Sequence, residues 1–117
     1  EGTMKKDIID MDDVMERVQD DRELLMELLD IFQNDYMTKR ELFEQYLADR
    51  DAGQLRDLAH SLKGAAGNIS ATQMFATCRD IEKMANDNIF EGMEELFKTL
   101  DKQFKDLQAC IAELKQS

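Results

Sequence analysis

The chain contains no proline and no tryptophan, and only five glycines, two cysteines and one histidine among 117 residues. Without proline, no segment is barred from a helix interior, and the scarcity of glycine removes the other common helix breaker. Leu, Ala, Met, Glu, Asp, Lys and Gln dominate instead. Most of these are good helix formers, which points to an all-α fold. Two cysteines are too few for a disulfide scaffold. Cys78 and Cys110 lie far apart within helical patterns and read as two reduced, buried thiols of a cytoplasmic protein in preference to one disulfide. No apolar run approaches the ~20 residues that span a bilayer, and no signal peptide is visible. Cations are also short, with 15 Lys and Arg against 26 Asp and Glu, a formal net charge of −11. Such a surface repels phosphate backbones and anionic lipid, so neither nucleic acid nor a membrane surface is expected as a partner.

The length suits a single domain with one core. Glu1-Gly2-Thr3 reads as a cloning scar, which leaves residues 4–117 as the domain and suggests a fragment of a longer protein. Helix starts are marked by paired polar residues that can cap orphan N–H groups: Asp10 before MDDVMERV, Asp20 with Glu23, Thr38 with Glu41, Asp51 with Gln54, Ser70 with Gln73, and Asn88 with Glu91. Apolar stripes agree. Leu24, Leu25, Leu28, Leu29 and Phe32 form one; Leu42, Phe43, Tyr46 and Leu47 another; Met74, Cys78, Ile81 and Ala85 a third. Phe97, Leu100, Phe104, Leu107, Ile111 and Leu114 continue the pattern to the C-terminus. Four main helices are expected near 38–50, 53–69, 71–87 and 89–115. Short connections favour antiparallel neighbours, hence an antiparallel up-down four-helix bundle. Two short additional N-terminal helices should pack across one end.

The stretch AHSLKGAAGNIS, residues 59–70, holds the only imidazole and two glycines at helical spacing. On a helical wheel, Leu55, Leu58, Leu62, Ala65, Ala66 and Ile69 cluster opposite His60, so the ring faces outward. Arg56, Lys63, Gly64 and Gly67 fall within about 60° of it. A mid-helix glycine costs roughly 1 kcal/mol relative to alanine. On an outward face it gains nothing from core packing, but it clears space for a partner's backbone. Gly67 admits a second explanation, loosening of the C-terminal turn. A neutral ring nitrogen is a nucleophile that can carry a phosphoryl group near neutral pH. The Lys63 ammonium can reach an anion attached to that ring. The strip holds no second catalytic group, and the chain has no Gly-rich nucleotide loop.

Two rival readings fit the residues less well. A carboxylate-bridged metal bundle needs two Glu-x-x-His motifs aimed inward, and Asp57 with one outward His60 does not supply them. A helical adaptor without chemistry draws only on the scattered methionines, most of which fit core positions.

The residues H-S-L-K-G, His60 to Gly64, resemble the signature of histidine phosphotransfer (HPt) domains, and AHSLKGAAGNISA is most similar to those at the C-termini of hybrid sensor kinases. The resemblance spans roughly residues 10–115. It implies a four-helix bundle with extra short helices, which carries a phosphoryl group between receiver-domain aspartates as a phosphocarrier without turnover of its own. It implies that His60 is phosphorylated, that Lys63 stabilises the transferred charge, and that Gly64 gives the receiver clearance. Glu82 matches a position that can accept a hydrogen bond from Nδ1–H, leaving Nε2 as nucleophile; otherwise it is an ordinary surface carboxylate. Arg56 and Gly67 would lie in the docking face. Response-regulator receiver domains are the implied partners. The receiver supplies Mg²⁺, and this chain needs no cofactor. The family usually has Gly where this chain has Ser70, a change expected to disturb the turn little because Ser is a good N-cap.

Overall fold

A computed structural model describes residues 5–116; the expected scar lies outside them. Its elements are α1 (Lys5–Ile8), α2 (Met11–Arg17), α3 (Arg22–Ala48), α4 (Ala52–Asn68), α5 (Thr72–Asn86) and α6 (Met93–Gln116). Helices α3 to α6 form the bundle. Pairing runs in chain order, with α4 packed most extensively on α5, and α6 closing the ring against both α5 and α3. A helix of α3's length, 27 residues, spans about 40 Å at 1.5 Å per residue, which accounts for the 43 Å long axis.

The expected stripes are buried: Leu25, Leu29, Phe32, Phe43 and Leu47 on α3; Leu55, Leu58, Leu62 and Ala66 on α4; Met74, Cys78, Ile81 and Ala85 on α5; Phe97, Leu100, Phe104, Leu107 and Ile111 on α6. The fit is not complete: Leu24 is exposed, Leu28, Leu42, Tyr46, Ala65 and Leu114 are half-buried, and Ala59 takes a full core place beside His60. Aromatic pairs Phe43–Phe97 and Tyr36–Phe104, with centroids 4.9 and 4.2 Å apart, tie α3 to α6.

The expected break between residues 32 and 38 is absent. The helix runs through, because Leu25, Leu29, Phe32, Tyr36, Phe43 and Leu47 keep one uninterrupted buried face and no breaker intervenes. Thr38 lies mid-helix, and its Oγ1 donates to the Asn34 carbonyl at 2.9 Å, a local bond that needs no helix end. The two short helices are therefore α1 and α2, while the segment opened by Asp20 belongs to α3. The cap of α3 is Asp21, whose carboxylate accepts from Leu24 N–H at 3.0 Å. Asp10 and Asp51 cap α2 and α4 as expected.

Ser70 is not a cap. It terminates α4 in the left-handed region, with φ +55°. Its N–H bonds to Gly67 O and that of Ala71 to Ala66 O, a Schellman closure. Ala71 opens α5 without a side-chain cap. Arg50 after α3 and Asn88 after α5 repeat the device, with φ +53° and +58°. Asn88 thus ends one helix, and α6 starts only at Met93, beyond Gly92. A left-handed non-glycine residue costs about 1–2 kcal/mol. At Ser70 this is offset by tertiary bonds: Oγ donates to Asp13 at 2.6 Å, and the carbonyl accepts from Asp10 N–H at 2.9 Å. These bonds fasten α2 over the α4–α5 turn. Thr72 Oγ1 donates to Asp7 O at 2.8 Å and fastens α1. The short helices thus cover one end of the bundle. Ser70→Ala, which keeps the strain and loses the bond, is expected to be less stable than Ser70→Gly by about 1 kcal/mol, read from urea midpoints.

A polar clamp also joins α3 to α6. Arg40 meets Asp101 through Nε at 2.6 Å and Nη2 at 2.9 Å, and Tyr36 donates to the same carboxylate at 2.9 Å. Burial opposes ionisation of Asp101, but these bonds outweigh it and hold its pKa below the ordinary value. The clamp therefore stabilises the fold above the ordinary aspartate range and loses its contribution as pH falls through the lowered value. Urea midpoints should stay level down to about pH 5 and drop below about pH 4, with a shallower drop in Asp101→Asn.

Candidate functional site

The central part of α4 presents His60 to solvent, as the wheel predicts; the side chain is 68% exposed. Its neighbours Ala59 and Leu62 are buried, so packing holds the backbone beneath it. The α4–α5 turn then lays α5 alongside, which brings Glu82 under the ring. Glu82 Oε2 lies 2.9 Å from His60 Nδ1, and Oε1 lies 2.7 Å from Lys63 Nζ. The Lys63 ammonium is the main cause that lowers the Glu82 pKa; burial works against it, and the His60 contact adds to it. Glu82 is thus ionised at neutral pH and can only accept. The proton of the 2.9 Å contact therefore sits on Nδ1, which leaves Nε2 as the ring nitrogen outside that bond. Among the described residues nothing hydrogen-bonds Nε2.

Gly64, one turn beyond His60, is exposed, and a Cβ built there would meet nothing within 4 Å. Its bareness is not required by this chain's own packing. Gly67 is different: a Cβ there would lie 3.4 Å from the Phe75 ring. That is ordinary van der Waals contact, so Gly67 faces the α5 side of the helix while Gly64 faces open space. Arg56, a turn before His60, is exposed and pairs loosely with adjacent Asp57 at 3.3 Å. On the α3 side of Gly64, Leu28, Ile31, Ala65 and Asn68 line a shallow apolar groove, with Ile31 63% exposed. Stripe analysis missed this groove, because Ile31 falls outside the α3 core register.

Cys78, buried one turn before Glu82, is a free thiol whose pKa is pushed up to about 12, by burial first and by the Glu82 charge second. It is inert at neutral pH. Cys110 is also free, and it is half-buried where a buried thiol is expected. Among the described residues no three His, Cys, Asp or Glu side chains are grouped to hold a metal. Nor does any helix reach the length and apolarity needed to cross a membrane.

A four-helix bundle carrying one exposed, carboxylate-backed imidazole beside a bare stretch of helix has the form of a phosphoryl carrier that works by docking to other proteins. Comparison with protein families bears this out. The family model for the Hpt domain matches residues 27–117, and the chain belongs to that family. It is a histidine phosphotransfer module of phosphorelay signalling, a system in which such domains interact with receiver domains. Among solved structures, the chain is similar to the crystal structure of histidine-containing phosphotransfer protein B (HptB) from Pseudomonas aeruginosa PAO1. The TM-score is 0.82 at 24% identity, over 90% of this chain and 92% of that one. That likeness speaks for the fold. Comparison with curated proteins finds no match.

Proposed function

We propose that His60 carries the phosphoryl group on Nε2, receiving it from the aspartyl phosphate of one receiver domain and passing it to the aspartate of another. In the forward step the Nε2–P bond forms and the P–O bond to the aspartate breaks, its electron pair returning to the carboxylate. The ring, already protonated at Nδ1, becomes cationic, and Glu82 faces that charge at 2.9 Å. Lys63, three residues on, is placed to leave Glu82 and pair with the transferred oxygens. The observation that carries this reading is the Nδ1–Glu82 contact, since it presets the tautomer and the free nitrogen together. This chain contributes positioning, and the receiver brings Mg²⁺ and most of the electrostatics. No cofactor is assigned to the chain, and it has no turnover of its own.

The reading extends to context. Residues 4–117 form one domain, taken here as the tail of a hybrid sensor kinase, and the free thiols suit a cytoplasmic location. Docking uses Gly64 and the apolar groove beside it. Incubation with a phosphorylated receiver should transfer label to this chain in an acid-labile form; absence of transfer, or an acid-stable label, rejects the reading. Glu82→Ala removes both the Nδ1 acceptor and the Lys63 anchor. Initial acceptance rates should fall about tenfold, near 1.4 kcal/mol, and Glu82→Gln, which keeps an acceptor for Nδ1–H, should recover part of the loss. Wild-type rates in Glu82→Ala would reduce it to a surface carboxylate.

A further inference from the structure

The chain's acidity is unevenly spread. Residues 52–86, the α4–α5 hairpin, hold four Lys and Arg against three Asp and Glu, whereas the rest of the chain holds eleven against twenty-three. The hairpin's cations are gathered beside the imidazole. On α5, Arg79, Glu82, Lys83 and Asn86 follow i, i+3, i+4, i+7 and share one face. With Arg56 of α4 they line a groove on the α5 side of His60, opposite the apolar groove. Its one carboxylate, Glu82, is already engaged by Lys63 and His60. The rim acids Asp57 and Asp80 contact Arg56 and Arg79 at 3.3 and 3.9 Å, and both are more than half exposed. Such pairs between exposed neighbours hold their cations weakly. Lys83 forms no ion pair among the described residues.

We infer that this groove is the electrostatic seat for the anionic surface surrounding a receiver's phosphorylated aspartate. The inference rests on the carrier reading and adds which flank of His60 selects and orients the partner. An aspartyl phosphate carries about two negative charges; Mg²⁺ offsets these, and the carboxylates that hold the ion leave the site net negative. Approaching a chain of net charge −11, such a surface is repelled from most directions. At physiological salt, charges beyond about 8 Å are largely screened, so near contact the receiver senses the local cations, not the distant acids. Steering of this kind acts on the association rate and on orientation. With an apolar groove on one side of Gly64 and a basic one on the other, a receiver can seat in one orientation only, its anionic side over α5.

The test uses Arg79→Glu with Lys83→Glu, two exposed residues remote from the core, and a receiver domain chosen because it labels the wild-type chain. Helical CD and the urea midpoint report that the variant is folded. At low salt, about 50 mM, transfer should slow by at least tenfold, and the variant and wild-type rates should converge as salt is raised to about 0.5 M. An unchanged rate at low salt, or a loss equally large at every salt concentration, overturns the proposal. Phosphoramidate, a small donor that needs no receiver, tests the carrier reading separately. If it labels the wild-type chain but not His60→Gln, the carrier reading stands whatever the groove variant does. If label persists in His60→Gln, both fall.

Discussion

His60→Gln is expected to abolish phosphate acceptance from a phosphorylated receiver while leaving the helical CD spectrum unchanged. The loss should be complete, because the chain has no other histidine to take over. Glutamine has no nucleophilic nitrogen, since its amide lone pair is delocalised into the carbonyl. The fold should survive because the side chain is 68% exposed, makes one hydrogen bond, and sits on a helix held by Leu55, Leu58, Ala59 and Leu62 from the other side. Exposed substitutions of this kind usually change stability by no more than about 0.5 kcal/mol. Any transfer of label to the variant would move the phosphorylated residue elsewhere and remove the basis of the mechanism.

Replacement of Gly64 should separate stability from function. Because a Cβ there meets nothing within 4 Å, Gly64→Ala relieves the helix of glycine's entropy cost without a clash. The gain should be about 0.5–1 kcal/mol, seen as a rise of a few degrees in Tm. A residue that destabilises its own helix, with no packing need for it, calls for a reason outside the chain. Close approach of a partner's backbone supplies one. Gly64→Leu keeps good helix propensity but places a branched side chain in the path of docking. Transfer from a phosphorylated receiver should slow by tenfold or more, near 1.4 kcal/mol, although the protein is at least as stable as wild type. Unchanged transfer in Gly64→Leu would remove the clearance argument. Gly67→Ala is the companion test: its methyl would lie 3.4 Å from the Phe75 ring, an ordinary contact, so it should gain stability as Gly64→Ala does.

Much of the site is legible in the sequence. The outward direction of His60 and its company of Arg56, Lys63 and Gly64 follow from residue spacing on one helix, and the structure places them so. Glu82 was different. Its match to the family raised the question of a bond to Nδ1, but no count of residues along α5 says which of its faces meets α4. The i, i+3, i+4, i+7 spacing of Arg79, Glu82, Lys83 and Asn86 is visible in the sequence, but that this face lies beside Arg56 of α4 is not. The misread helix ends have a related cause. A Thr-x-x-Glu or Ser-x-x-Gln pattern caps a helix only where the Thr or Ser itself has extended backbone, as Asp10 and Asp21 do. Thr38 sits inside a continuous buried face, and Ser70 is held in the left-handed region by Asp10 and Asp13, nearly sixty residues away.

The amino-acid sequence by itself determined the helical class, the buried stripe of each main helix and the solvent-facing position of the only imidazole, because a 3.6-residue period is a local property of the chain. Tertiary structure alone decided that α3 runs unbroken, that Ser70 closes α4, that Gly67 faces the Phe75 ring while Gly64 faces open space, and that Glu82 lies 2.9 Å from Nδ1. Those outcomes depend on how each helix is rotated and shifted against its neighbours. That setting comes from the fit of side chains contributed by distant segments, which no local pattern encodes.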